Sequence, residues 1–497
     1  MQTSQLLAQT PRRTRPAGWN QSPASKPSRV ATFTLAAGLL LVQGCALTPK
    51  GLDDERDALD ASAPANVVAD AELPRPSSGD DWRGFLRRAF VANGQLRAAW
   101  HQWEAAVERV SGASGWPNTN LALGFSTLFS DEGMKTFDRM TFEARFDSME
   151  NLTFPTKTMR AGDIALEEAR AAGQRFRAAK FEVQRKVLDA WLDLAMAAEG
   201  ERLALEKRTL SGVAADTADA AIGAGAPQGA SLTARIGEAR GDDDVARAHA
   251  EVVAARAALA AVTAIDDPDR IPTPTRLPLP RPLPARDAVL LQALDATPDI
   301  AGLEADVRAR EHEAALARLQ WIPDINPLAM VTGTIEQAVG AMVMLPTTIP
   351  EIRSGIEVAR ALRSAADADL EQGRRDQRGA LISALIALRD VERGRRLLEE
   401  RVLPAAIAVA DAATSAYTAS SGDLGEVLEA RLLAVETRIE IAAIAIERER
   451  RAAEIEEILG ADLETFTSPE LLHVARADVA TGHEPTHTNA VRLEVPR

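Results

Sequence analysis

Three kinds of side chain in this sequence could do chemistry. Cys45 is the only cysteine, and it directly follows Gly44 at the end of an apolar run from Ala31 to Val42. With no second cysteine to pair with, its thiol is free for acylation rather than committed to a disulfide. Asp216, Asp219 and Asp411 each lie within a few turns of a stretch rich in glycine or serine. Repeated by symmetry around an axis, such carboxylates would form a ring that concentrates cations and can gate by repulsion; the alternative is an outward, solvated face. His473, His483 and His487 sit in a polar stretch near the C-terminus, which could gather a metal ion or simply be solvated. Nothing converges into a catalytic centre: there is no glycine-rich phosphate loop, no Ser/His/Asp grouping and no His-Glu-x-x-His helix. No enzyme activity, cofactor or metal is therefore expected.

The elements that must position these residues begin with an export segment. Residues 1–44 carry Arg12, Arg13, Arg15, Lys26 and Arg29 with no acid, then the short apolar run, which is the pattern of a secretory signal peptide. Leu41-Val-Gln-Gly44-Cys45 resembles a bacterial lipobox, in which the cysteine becomes the lipid-bearing first residue of the mature protein. Ala46 in place of aspartate favours sorting to the outer membrane. Residues 45–80, rich in Asp, Ala, Pro and Ser, read as a flexible tether. The whole chain has 57 basic and 72 acidic residues; without the five cations of the signal, the mature net charge falls to about −20, which excludes nucleic acid as a partner.

The rest of the chain says one thing twice. Ala89-Phe-Val-Ala-Asn93-Gly-Gln-Leu96 returns about 200 residues later as Ala293-Leu-Asp-Ala-Thr297-Pro-Asp-Ile300, and Trp116-Pro117 returns as Trp321-Ile-Pro323. Leu205-Glu206-Lys-Arg208 returns as Leu398-Glu399-Glu-Arg401, and Gly229-Ala-Ser-Leu232 as Gly425-Glu-Val-Leu428. The first repeat, 81–265, holds a helix, a β-hairpin, a long helix from about 158 to 221, a turn and a helix of half that length. The connector, 266–286, has seven prolines between Pro268 and Pro284. The second repeat, 287–460, follows the same order, and 461–497 is a polar tail. A proline-free run of about 64 residues makes a helix of roughly 95 Å. Aromatics are only 4% of the chain, so burial must come mainly from seams between helices. In the first hairpin Met140, Phe142, Ala144 and Phe146 alternate with Thr141, Glu143, Arg145 and Asp147, giving one apolar and one wet face. The second, 328–345, is apolar on both faces, and neither carries the Trp/Tyr girdle of a membrane barrel. Four strands are too few to close a water-filled barrel, so oligomerisation is implied. Pro404, inside the second long helix, predicts either a bend or a break.

This constellation resembles the TolC-like outer-membrane efflux factors over about residues 82–460. The residues that carry the likeness are the helix starts at Asn93 and Thr297-Pro298, the Trp-Pro strand starts, the hairpin exits at Pro155 and Pro346, and Trp191-Leu-Asp-Leu194. To these are added Arg401-Val-Leu-Pro404, Ala416-Tyr417 and the Gly422 turn into Val427-Leu428-Glu-Ala430. The resemblance implies a mainly α fold with a small β part and an internal two-fold repeat: a long periplasmic α-helical barrel, plus four strands per protomer contributing to a shared 12-stranded outer-membrane β-barrel. It implies a homotrimer, held in outer-membrane lipid, that works with a periplasmic adaptor (membrane fusion) protein and an inner-membrane pump as the passive exit duct of a tripartite efflux or secretion system.

On that reading Asp411, Asp216 and Asp219 are candidates for the periplasmic constriction, and Thr141, Glu143, Arg145 and Asp147 for lumen-facing strand positions. Gly225, Gly229, Leu232, Gly422, Asp423, Leu424, Gly425 and Leu428 are candidates for tips that face the adaptor, with ordinary turn chemistry as the alternative. Two other readings stay open: a non-conducting structural lipoprotein that spans the periplasm, which the apolar second hairpin favours, and a periplasmic adaptor. The adaptor would have one helical hairpin and a glycine-rich β-domain, where this chain has two hairpins and no such domain.

Overall fold

A computed structural model describes residues 47–63, 73–74, 76–115, 121–127, 140–146, 153–223, 227–284, 287–332, 336–345, 347–419 and 421–466. The signal peptide, Cys45, Asp147, Gly225 and the tail histidines lie outside them. The segment from Ala46 onward forms one unit.

The first repeat is built from α2 (Trp82–Ala92), α3 (Gly94–Ala113), β1 (Leu121–Thr127), β2 (Met140–Phe146), α4 (Pro155–Ile222) and α5 (Gln228–Thr263). It is preceded by α1 (Leu52–Ala61). The second repeat comprises α6 (Asp287–Ala293), α7 (Pro298–Leu319), β3 (Asp324–Thr332), β4 (Glu336–Met344), α8 (Ile349–Leu397), α9 (Leu403–Thr418) and α10 (Leu424–Leu459). Helix starts follow local chemistry. The Asn93 side chain accepts from the backbone N–H of Gln95 and Leu96, capping α3, while Pro298 begins α7 where a missing N–H costs nothing. The two half-length helices that end each repeat also stop alike, in a left-handed residue: Ala264 after α5 and Gly460 after α10. At Gly460 glycine is required twice, by its φ of +60° and because a Cβ would collide with the Pro298 ring. Ala264 holds its strained conformation because buried Arg88 donates to the carbonyls of Thr263 and Ala264, and Asn93 Nδ2 to that of Val262.

Helix α4 is the hub of the chain. It packs against α3, α5, α7 and α10, whereas α8 packs only against α7 and α10 among the long helices. Of the described residues, α4 buries Leu166, Phe176, Val187, Leu188, Trp191, Leu192 and Leu194 among others, and α8 buries only Ala359, Leu381, Ala384, Leu385 and Leu388. The main core stacks Trp103 on Phe176, with centroids 5.6 Å apart, and Gly173 gives the Trp103 ring its room. Trp191, the aromatic of the Trp-Leu-Asp-Leu motif, donates from Nε1 to the Gly79 carbonyl at 2.7 Å. A second cluster gathers Leu290, Leu294, Leu381, Leu385, Leu388, Ile455 and Leu459 from the second repeat and Leu463 from the start of the tail.

Two stretches differ from expectation. The segment 45–80 is not wholly a tether, because α1 lies on α3 and α4 with Leu52 and Leu59 buried. Trp103 Nε1 donates to Glu55 Oε1 at 2.8 Å, Trp100 Nε1 to the Leu59 carbonyl at 3.3 Å, and Arg56 to Ser111 Oγ at 2.7 Å. Burial raises the Glu55 carboxyl above its usual pKa, against the Trp103 hydrogen bond and the charges of Arg170 and Arg177. Composition misled because only two leucines, seven residues apart, mark the buried face. The polar tail likewise begins packed, with Leu463 1% exposed.

The predicted bend at Pro404 takes a definite form. The long helix does not break: a π turn, Leu398–Val402, joins α8 to α9, and the N–H of Leu403 bonds the Leu398 carbonyl. A proline lacks the N–H that would reach back four residues and its ring crowds that carbonyl; a wider turn just before it relieves both.

Candidate functional site at the sheet and the helix tips

The four strands form one antiparallel sheet in the order β1-β2-β3-β4. Each hairpin pairs internally, and β2 pairs with β3, with Thr141 opposite Thr332 and Arg145 opposite Leu328, so the two repeats meet edge to edge. Among the described residues both outer edges, β1 and β4, keep unpaired backbone donors and acceptors, a template for further strands. Thr141, Glu143 and Arg145 occupy alternate positions of β2, opposite Ser126, Gly124 and Ala122. On the other face Phe125 and Phe142 stand directly across from each other, ring centroids 5.3 Å apart, 61% and 48% exposed. Side chains of the second hairpin's apolar run lie mostly outside the described residues.

At the opposite ends of the long helices lie two tips. In the first, α4 ends at Ile222 and α5 begins at Gln228, and Asp219 is not a free carboxylate. It accepts from Ser231 Oγ and is paired with Arg235, which also reaches Glu238 at 2.7 Å. The Ser231 hydroxyl and then Arg235 hold the Asp219 carboxyl below its usual pKa. Asp216 lies 3.7 Å from the same guanidinium. Asp219 therefore braces the tip, with Asp216 at the edge of the same cation. Arg235 was missed in the sequence, although its position across the turn from Asp219 is the signal that could have found it. Gly229 opens onto free space in the first turn of α5, with Leu232 58% and Ile236 56% exposed beside it.

The second tip is tighter. The Ser421 N–H bonds the Ala416 carbonyl at 2.9 Å, and Gly422 packs so closely on Ala416 that a Cβ would sit 3.0 Å from that methyl. Asp423 caps α10 by accepting from the Gly425 N–H. Leu424 and Leu428 are half-buried and Val427 is buried, while Tyr417 is 44% exposed. Asp411 is exposed on α9, and its carboxylate has no partner among the described residues. No hydrogen bond or ion pair joins it to Asp216 or Asp219.

Neither flank of the helical layer is finished. Helix α8 and its continuation leave Val358, Leu362, Ile382, Ile386, Leu397, Ile407 and Val409 exposed, and α5 with the end of α4 leaves Leu205, Val213, Ile236 and Val253. Among the described residues no helix is long and apolar enough to cross a membrane, and no cluster of three or more His, Cys, Asp or Glu could hold a metal ion.

No family model and no curated protein matches the chain. Solved structures do. A membrane protein from Pseudomonas aeruginosa superposes with a TM-score of 0.66 at 18% identity, covering 82% of this chain and 98% of that one. The CmeC outer membrane channel of Campylobacter jejuni gives 0.62 at 13% identity, covering 83% and 94%. The open state of the MtrE outer membrane channel of Neisseria gonorrhoeae gives 0.60 at 18%, covering 80% and 94%. With a duplicated helix-hairpin-helix plan, four strands in one sheet and a match along nearly the full length of these channels, the chain has the fold of the TolC-like outer-membrane efflux channels.

Proposed function

We propose that this protein is the outer-membrane exit duct of a tripartite efflux or secretion system: a homotrimer that performs no reaction and conducts substrate moved by an inner-membrane pump through a periplasmic adaptor. The observation that carries the reading is the sheet with two open edges, set on a helical layer with two unfinished apolar flanks. A head-to-tail ring joins β4 of one copy to β1 of the next and the α8 flank to the α5 flank, and three copies supply twelve strands. The apolar flanks belong between copies, because a water-filled passage would not be lined by Ile382, Ile386 and Leu397. The exposed leucine and isoleucine beside the first tip suit a partner's helical hairpin.

Native mass measurement of the full chain in detergent together with single-channel recording in planar bilayers tests this. The expected result is a trimer with a steady conductance. A trimer that inserts without conducting would favour the second reading, a non-conducting lipoprotein, which the apolar run of β3 and β4 supports. Anchoring at Cys45 is tested separately: Cys45→Ala should abolish acyl labelling, and unchanged labelling would refute the lipid anchor.

A further inference from the structure

Where the sheet meets the helices, the chain gathers large apolar side chains that are exposed among the described residues. Asp324 organises the place. It accepts from the backbone N–H of Phe154 at 3.2 Å and from Lys157 Nζ at 2.9 Å, and its Cα partner across the sheet is Met344. These contacts bring together the start of α4, the start of β3 and the end of β4. At this level Phe154 is 37% exposed, Trp321 43%, Leu345 73% and Ile349 44%.

One helical turn away from the sheet, the chemistry changes in the same way on two helices. Arg318 lies in the last turn of α7, three residues before Trp321, and Arg353 lies four residues after Ile349 on the same face of α8. Both arginines are exposed, and neither has an ion pair among the described residues. The neighbouring acids are mostly engaged: Asp324 by Lys157, Asp163 by Arg160 and Glu313 by Arg310, leaving Glu351 as the exposed carboxylate nearby.

An apolar tier containing a tryptophan, followed by a cationic tier a turn further from the strands, is the order of polarity across the edge of a bilayer. Acyl chains meet the first tier, and phosphates about one helical turn out meet the second. A protein neighbour would have to bring matching acids to both arginines, whereas a phospholipid surface presents phosphate at that depth everywhere. The geometry points to a lipid-binding collar in which Trp321, Leu345, Ile349 and Phe154 enter the acyl boundary of the leaflet next to the helical body, and Arg318 and Arg353 bind the phosphates of anionic phospholipid. The inference rests on the outer-membrane reading above and adds to it a site and a lipid class.

The test uses the full chain reconstituted in phosphatidylcholine vesicles, in which either the phosphatidylcholine itself or an added phosphatidylglycerol fraction carries bromine on its acyl chains. The chain has seven tryptophans, so the contribution of Trp321 is the difference between the wild type and Trp321→Phe. Brominated lipid should quench that contribution, with phosphatidylglycerol preferred. Arg318→Gln and Arg353→Gln should each lower the preference about fivefold, with the oligomer mass unchanged. A Trp321 signal unquenched in protein that conducts would overturn the collar and place the patch under a neighbouring copy. Equal quenching by both lipids, indifferent to the arginines, would overturn the phosphate site. Failure of the wild type to insert at all, read as its absence from the floated vesicles, would remove the outer-membrane reading along with the collar, and flotation distinguishes that outcome from the others.

Discussion

At the scale of single residues, the three acidic candidates separate by what faces them. Asp219 is held by Ser231 and Arg235 and Asp216 shares that cation, whereas Asp411 has no counter-charge among the described residues. Asp411 is therefore the candidate whose carboxylate is free of a partner within the described protomer. Asp411→Ala should raise single-channel conductance and weaken block by multivalent cations, because three like charges at one level create a strong field in a narrow passage. Unchanged current and block in an intact trimer would place the residue on the outer face. Asp219 carries a different expectation. Its pKa in the folded chain is depressed, so the bracing it gives is present above the ordinary carboxylate value and lost as pH falls through the folded value. Amide protection factors at the α4–α5 tip, corrected for the pH dependence of intrinsic exchange, should fall on acidification through that range, and Asp219→Asn should show low protection at neutral pH and lose the acid response.

At the scale of elements, the connector between the repeats is pinned by charge as well as by apolar contact, Ile271 being buried in the main core. Arg281 lies between Glu449 and Glu456 of α10, at 2.7 and 2.8 Å, with both carboxylate side chains 3% exposed. Arg448 pairs with Glu449 and with Glu392 of α8 and donates to the Arg281 carbonyl at 2.7 Å. Burial raises the Glu456 carboxyl above its usual pKa, and Arg281 limits the rise. Replacing Arg281 by Ala leaves buried Glu456 without its cation and Glu449 with Arg448 alone, a loss of about 3–5 kcal/mol. The sign with pH follows: a carboxylate whose folded pKa is raised weakens the fold as pH rises through that value. The Arg281→Ala defect in melting temperature should therefore be largest at neutral pH and shrink on acidification toward the ordinary Glu range. A pH-independent defect would mean that lost packing, not charge, dominates.

At the scale of the whole molecule, the protomer is an unfinished surface. Ile386, 61% exposed on α8, has its large side chain in solvent unless another copy covers it. Covering it fully is worth roughly 1.5–3 kcal/mol per copy. Ile386→Asp removes that burial and adds a charge to be desolvated, so native mass measurement should show dissociated protomers with their helix content retained. A trimer of unchanged stability would place the α8 flank outside the interface.

The sequence by itself determined what depends on local order. Repeated motifs gave two halves with the same order of elements, the absence of proline from 158 to 221 gave a helix observed as Pro155–Ile222, and alternation from Met140 to Asp147 gave the strand observed as Met140–Phe146. Periodicity and breakers act between neighbours in the chain, so they can be read there. Tertiary structure alone decided which groups far apart in sequence share a partner. It placed Leu52 and Leu59 on α3 and α4, joined β2 to β3, set Asp324 among three elements and gave Asp219 to Arg235. The physical reason is that charge and apolar surface are satisfied by whatever comes within a few ångströms, and between helices of this length that is settled by packing register, which no local pattern encodes.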